Sequence, residues 1–360
     1  GIAFRRDTTI FTREPAWEKD LSALPLPAAD LIRSGYYRRK NRTAAMVVSS
    51  RGCPMRCSYC SMSAASSHAR FRQRRVDDVL KEIQVLAADP QLGFIDFEDE
   101  NLCLNKTWFL DLFSGIRDLL KGRNVELRAM NGLFPPAIDE KIVCMMADAG
   151  FKTLNLSLGS TCAAQLKRFQ RPDVRNAFDR ALSLAQTHGL DCVSYIIAAA
   201  PGQSAETSLE DLLFLAEKRT LAGLSIFYPA PGSQDFDTCQ QANLLPETFQ
   251  CMRSSALPLD NTTSRLQAAT LLRLSRILNY MKHLMDTENQ IPPALAYDLS
   301  VRCLPPDRPA ASKQLLQWFL HDGIIRGAEP DGSVFSHHID TRISVQFSRQ
   351  IQTVPLAGTR

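Results

Sequence analysis

The sequence predicts an α/β protein, a partial (βα)6 barrel of parallel strands with a helical C-terminal extension. Three observations carry this. Short β-rich runs recur at AAMVVSS (44–50), GFIDFE (93–98), VELRAM (125–130), TLNLSL (153–158), CVSYIIA (192–198) and GLSIFYP (223–229). Amphipathic stretches lie between them at 75–88, 106–121, 138–149, 174–188 and 206–218. After about residue 240 the rhythm gives way to long helical patterns. Strands that are apolar throughout are covered on both faces, which means a parallel sheet with helices packed against it. An open doubly wound sheet is the other arrangement of the same units. In either, chemistry gathers at the carboxyl ends of the strands.

In chain order, residues 1–42 read as a connector. FRRDTTIFTREP suits a short hairpin, the proline-broken LSALPLPAADLI cannot sustain a helix, and YYRRKNR is basic and exposed. Residues 43–240 are the core; in DDVLKEIQVLAA, Val79, Ile83 and Leu86 share one helical face. Residues 241–360 form a mainly helical module. TSRLQAATLLRLSRILNYMKHLMD is one long helix, QIPPALAYDLSVRCLPPDRPA a break, and SKQLLQWFLHDGII a second helix. EPDG reads as a turn, and SVFSHHID and RISVQFS as two short strands.

A chain of 360 residues, 45% hydrophobic and 22% charged, supports its own core without a disulfide or metal staple. The net charge of +4 is mild and is a weak argument against a dedicated nucleic-acid surface. The ten cysteines are scattered along a long chain, unlike the framework of a small secreted domain. With no signal peptide and no apolar run of membrane-spanning length, a cytoplasmic location is expected.

Three thiols depart from that scatter. RGCPMRCSYCSM places Cys53, Cys57 and Cys60 at C-x3-C-x2-C spacing just past the first strand. Thiolates hold zinc or an iron–sulfur cluster. Structural zinc wants four ligands, and His68 is the only histidine near enough to complete a Cys3His set. Three thiolates without a fourth suit a [4Fe–4S] cluster with one iron open to a ligand.

This spacing after the first strand of a (βα)6 pattern, with Tyr59 just before the last cysteine, resembles the radical S-adenosylmethionine (radical SAM) superfamily. The resemblance spans roughly residues 20–240 and is nearest to the subgroup that carries an N-terminal cobalamin-binding domain. LSALPLPAADL looks like that subgroup's connector. No D-x-H-x-x-G cobalamin signature occurs, so cobalamin is expected only with an upstream domain that these residues do not include. The resemblance implies a [4Fe–4S] cluster on Cys53, Cys57 and Cys60, S-adenosylmethionine on the open iron, and an external electron donor. Radical chemistry would then act on a small-molecule substrate, methyl transfer being one outcome.

The resemblance also assigns supporting residues. Tyr59 would lie near the adenine. Glu98, Asp99 and Glu100, with Asn101, are the candidates for the methionine amino group. Arg128 on the third strand would bind substrate or neutralise those carboxylates. The relatives' ribose glutamate falls by eye at Gly159, which has no side chain for it, so Asn155 or Ser157 would substitute. Lys167, Arg168 and Arg171 are candidates for the carboxylate of S-adenosylmethionine, Arg168 first. Ile197 would pack on the adenine, and Phe227 and Tyr228 would line the site. Two other functions compete: a radical SAM RNA-modifying methylthiotransferase, which the helical 240–320 region opposes, and a zinc-binding scaffold without catalysis. His337 and His338 are adjacent on a strand and point to opposite faces, so they do not share an ion.

Overall fold

The computed structural model describes residues 2–13, 18–32, 36–64, 71–248, 258–301 and 303–359. His68 and Cys251 lie outside the described residues. The N-terminal segment opens with the expected hairpin, β1 (Ala3–Arg6) against β2 (Thr9–Thr12), with Phe4 stacked on Phe11. A two-residue β3 (Arg38–Arg39) then turns back antiparallel onto β4 (Arg42–Val47). β5 (Ser50–Arg51), α1 (Ser61–Ala64) and β6 (Arg72–Gln73) bracket the cysteine segment, β5 pairing with β6.

The repeating part follows as α2 (Val76–Leu86), β7 (Leu92–Phe97), α3 (Lys106–Leu119), β8 (Glu126–Arg128), α4 (Glu140–Ala149), β9 (Thr153–Gly159), α5 (Ala163–Arg168), α6 (Arg175–Thr187), β10 (Asp191–Ala198), α7 (Ala205–Ala216) and β11 (Leu221–Ile226). Parallel ladders join β4 to β7, β7 to β8, β9 to β10, and β10 to β11. Two isolated parallel bridges, Leu127↔Phe151 and Leu133↔Leu156, carry the order across from β8 to β9. The strands therefore run in sequence order with no reversal. A doubly wound sheet needs a reversal at its switch point, so that alternative does not describe this chain. All the carboxyl ends point the same way.

The helices start where the sequence caps them. Asn105, Asp139 and Ser204 each accept the backbone N–H three residues on, at the starts of α3, α4 and α7. α4 stops at Gly150, whose φ of +109° ends it in a left-handed turn. α2 packs on α3 and α3 on α4. Beneath them Phe97, Phe109, Phe113 and Phe151 form an aromatic knot, with ring centroids 4.3 Å apart for Phe109–Phe113 and 5.0 Å for Phe97–Phe113. Val79 and Ile83 are fully buried and Leu86 partly so, as the helical face predicts.

The C-terminal part continues with α8 (Gln234–Gln241), α9 (Arg265–Glu288), α10 (Arg308–Asp322), the hairpin β12 (Arg326–Ala328) with β13 (Val334–Ser336), and α11 (Thr341–Ile351). α9 opens with a reciprocal Ser264–Gln267 capping box. It lies against β11, and Asn279 both donates to the carbonyl and accepts from the N–H of Ala222, pairing backbone that an edge strand leaves open. Fully buried Lys282 donates through Nζ to the carbonyls of Ala216 (3.1 Å), Lys218 (2.6 Å) and Ala357 (2.8 Å), tying the end of α7 to the C-terminal segment.

The strand expected at RISVQFS is instead within α11. Its Ile343, Val345 and Phe347 alternate, but Ile343, Phe347 and Ile351 also recur every four residues, and those three are buried. The Asp340 side chain caps Ile343 N–H and starts the helix. SVFS does form a strand, whose partner is β12, the segment before the EPDG turn. α10 begins at Arg308, inside the expected proline break, because Asp307 caps it and Pro309 sits in its first turn, where a missing N–H costs nothing.

Candidate active site

The cysteine segment leaves the carboxyl end of β4 and is tied down on three sides. Asp99, just past β7, accepts from the Ser49 and Ser50 hydroxyls and from Ser49 N–H (3.3 Å). Burial pushes the Asp99 carboxyl up, against those donors. Glu100 accepts from the N–H of Gly52 at 3.1 Å, where Gly52 turns the chain at φ +86° immediately before Cys53. On the far side Ser58 N–H donates to the Phe169 carbonyl at the end of α5. Its hydroxyl donates to Asp235 Oδ2 (3.0 Å) in the first turn of α8, and its carbonyl accepts from Asp235 N–H. The Ser58–Asp235 tie had no signal in the sequence, since the two residues are far apart in it.

Cys57 is buried; Cys53 and Cys60 are half-buried. Burial raises the Cys53 thiol, and Asn101 Nδ2 lies 3.9 Å from its sulfur. Asn101 is 3% exposed and its Oδ1 has no partner, which is costly unless something else occupies the neighbourhood. Among the described residues no three His, Cys, Asp or Glu side chains converge to hold one metal ion. A single zinc needs every thiolate about 2.3 Å from one point, whereas a cubane asks each of three thiolates to meet a different iron. Cys53, Cys57 and Cys60 are the three thiolates that such a cluster would take.

Behind the triad stands Arg171. α5 ends at Arg168, Gln170 takes a left-handed φ of +50°, and the chain turns back so that Arg171 points under the cysteine segment. Its Nη1 donates to Tyr59 Oη at 2.9 Å, and its Nη2 donates to the carbonyl and hydroxyl of Ser157 on β9. Gly159, at φ +86°, is where a Cβ would stand 3.1 Å from Arg171 Nε, so this glycine makes room for the guanidinium. Arg171 is 9% exposed, its Nε has no partner, and no carboxylate pairs with it among the described residues. Arg168 is exposed on α5 and lies along the backbone of Gly202. Arg168, the first of the three basic candidates, stays on the exposed side of α5, and Arg171 is the one that bonds Tyr59 and Ser157. The proline at 172, which ends any helix before it, was the available clue.

Tyr59 packs edge-on against Phe169, centroids 4.9 Å apart, and burial pushes its phenol well above the ordinary range. Tyr59 and Ile197 both border one small apolar cluster of Phe169, Ala200, Phe227, Cys239 and Leu259. The structure thus brings together Tyr59, Ser157, Arg171 and Ile197, from four separate segments.

The carboxylates divide. Asp99 is committed to Ser49 and Ser50. Glu98 is half-buried and takes one hydrogen bond from Asn131 Nδ2 (3.2 Å), and Glu100 is exposed beside the triad. Arg128 does not reach them; it pairs with Asp96 within β7 at 2.6 Å and lies over the Phe94 ring. Asn155 accepts from Tyr195 Oη at 3.1 Å. Buried Asp211, which the sequence reading did not single out, holds the β9–α5 turn through Ser160 and Thr161.

With this geometry in hand, known proteins were compared. The model of the "Radical SAM superfamily" matches residues 47–215. A protein of Pyrococcus horikoshii named as an uncharacterized methyltransferase is 24% identical over 248 residues, 68% of this chain and 53% of that one. The anaerobic magnesium-protoporphyrin IX monomethyl ester cyclase of Rubrivivax gelatinosus is 28% identical over 206 residues, 56% of this chain and 36% of that one. The chain therefore spans about half or less of these relatives. Among solved structures, the radical S-adenosylmethionine methyltransferase TsrM of Kitasatospora setae aligns with a TM-score of 0.49 at 19% identity, over 60% of this chain and 42% of that one.

Proposed function

We propose, from the radical SAM superfamily model that matches residues 47–215, that Cys53, Cys57 and Cys60 hold a [4Fe–4S] cluster whose fourth iron takes S-adenosylmethionine. The sequential parallel strands curl as a partial (βα)6 barrel around this site. When bound, the two cofactors and an electron from an external donor supply a carbon radical that takes hydrogen from a small-molecule substrate.

One observation carries the assignment of the cofactor site: Arg171 is a buried guanidinium whose partners, Tyr59 and Ser157, are neutral. A buried cation left without an anion is costly, and the carboxylate of S-adenosylmethionine supplies one. Arg171 replaces Arg168 in that role. Glu98 and Glu100, each with oxygen atoms to spare, receive the methionine amino group, while Asp99 positions the cysteine segment. Tyr59 and Ile197 hold the adenine against the small apolar cluster, which keeps water from it. Ser157, already bonded to Arg171, is the hydroxyl nearest to the role of the missing ribose glutamate. Methyl transfer is the outcome we favour, supported by the relative named as a methyltransferase. With no D-x-H-x-x-G in the chain, these residues offer no motif ligand to cobalamin.

The test is anaerobic reconstitution with iron and sulfide, then dithionite and S-adenosylmethionine. Release of 5′-deoxyadenosine by the wild type, lost in Cys53→Ala, Cys57→Ala and Cys60→Ala, is expected. A wild type that binds iron in about cubane amounts and releases none overturns the proposal.

A further inference from the structure

A cavity of about 470 Å³ opens at the carboxyl end of β11, bounded by Ile226, Leu272, Arg273, Arg276, Ile325 and His337. Because the core strands are parallel, this is the same end from which the cysteine and carboxylate segments leave β4 and β7. Ile226 and Pro258, which line the cavity, are the chain neighbours of Phe227 and Leu259, which pack in the small apolar cluster that Tyr59 borders.

Its chemistry is two-sided. The hydrophobic wall is Ile226, Leu272 and Ile325, with Pro258 and Ala269. The polar wall is basic throughout, with no carboxylate on it. Arg273 Nη2 lies 3.4 Å from His337 Nδ1, so a guanidinium faces an imidazole across one corner. Among the described residues neither Arg273 nor Arg276 has an acidic partner, whereas nearby Arg326 and Lys313 are paired with Asp322 and Glu288. Arginines without an acidic partner on a concave, half-apolar wall are a site for an anion, and the planar guanidinium matches a carboxylate in bidentate fashion. The volume is that of a small-molecule pocket. His337, which the sequence offered only as one of two adjacent histidines, is half-buried here while His338 is exposed.

We propose that this cavity takes the substrate, an organic acid with an apolar body against Ile226, Leu272 and Ile325 and its carboxylate on Arg273 and Arg276. The inference rests on the radical reading only for what then happens to that acid.

The test needs neither cluster nor S-adenosylmethionine. The full chain is titrated with anthracene-9-carboxylate and, separately, with its uncharged methyl ester, following probe fluorescence. The acid is expected to bind at least about tenfold tighter than the ester, and to weaken as salt is added. Arg276→Met, at an exposed position, and Arg273→Met are each expected to lose most of that preference, and Arg276→Lys to keep part of it. Ester affinity stays the same in all of them, which also reports that the pocket is still folded. Equal binding of acid and ester, acid binding untouched by both methionine variants, or no binding by the wild type overturns the proposal. Failure here leaves deoxyadenosine release untouched, so the two readings fail separately.

Discussion

Replacing Arg171 by methionine separates its role in folding from its role in binding. The change deletes the donors to Tyr59 Oη and to the carbonyl and hydroxyl of Ser157. Hydrogen bonds from a charged donor contribute about 1.5–3 kcal/mol each, so their loss alone would be severe. The same change removes a buried cation that no carboxylate compensates, and the desolvation penalty of such an ion is several kcal/mol. The two effects oppose, and the net loss of stability should be about 2 kcal/mol or less. Binding has no such offset. Truncating one member of a buried charge pair costs about 2–5 kcal/mol, which is a loss of roughly 30-fold or more in affinity for S-adenosylmethionine. The assay is anaerobic equilibrium dialysis of the reconstituted protein with S-adenosylmethionine and with 5′-methylthioadenosine, which lacks the methionine carboxylate. Arg171→Met should weaken the first and spare the second, and Arg168→Met should change neither by more than about threefold. An Arg171→Met protein that is folded and binds S-adenosylmethionine like the wild type refutes the reasoning, as does a defect confined to Arg168→Met.

Three further outcomes follow from the geometry. Asp99→Ala frees the cysteine segment from β7 and should cost about 2–4 kcal/mol in chemical denaturation. Iron retained after desalting should fall with it; unchanged iron retention would show that the segment does not need this anchor. Phe113→Ala, at the centre of the aromatic knot, should cost about 3–5 kcal/mol, and a loss below about 1 kcal/mol would mean that the knot is not packed as described. Lys282 gives a pH dependence. Burial pushes its ammonium down to about 7, below its value in the unfolded chain. Between those two values the unfolded chain holds a proton that the folded one has released, so stability rises with pH across that window, by at most about 1.4 kcal/mol per unit. Lys282→Met should flatten that rise when melts at neutral and alkaline pH are compared with the wild type; parallel pH profiles would refute it.

The parts of this protein legible in its sequence are those set by local pattern. β7 is buried along its whole length, and β4, β9, β10 and β11 are short runs rich in apolar residues, buried at part of their positions, so these strands announce themselves, and amphipathic helices between them give the alternation. α11 misled because Ile343-x-Val345-x-Phe347 satisfies a strand period while Ile343, Phe347 and Ile351 satisfy a helical one, and only packing chooses between them. The cysteine triad was legible because its three thiols are close in sequence. The rest of the site was not, because it is assembled from distant segments. Nothing local distinguishes Asp99 from Glu98 or Glu100 until Ser49 and Ser50 are seen to occupy it. Only the turn at Gln170 and the space left by Gly159 bring Arg171, rather than Arg168, to Tyr59 and Ser157.

The most direct test of the central claim is Mössbauer spectroscopy of the chain reconstituted anaerobically with 57Fe. The account predicts a cluster of about four irons in which a single iron site shifts when S-adenosylmethionine is added, the others being held by Cys53, Cys57 and Cys60. A spectrum that S-adenosylmethionine leaves unchanged, or a chain that takes up zinc in place of a cluster, would contradict it.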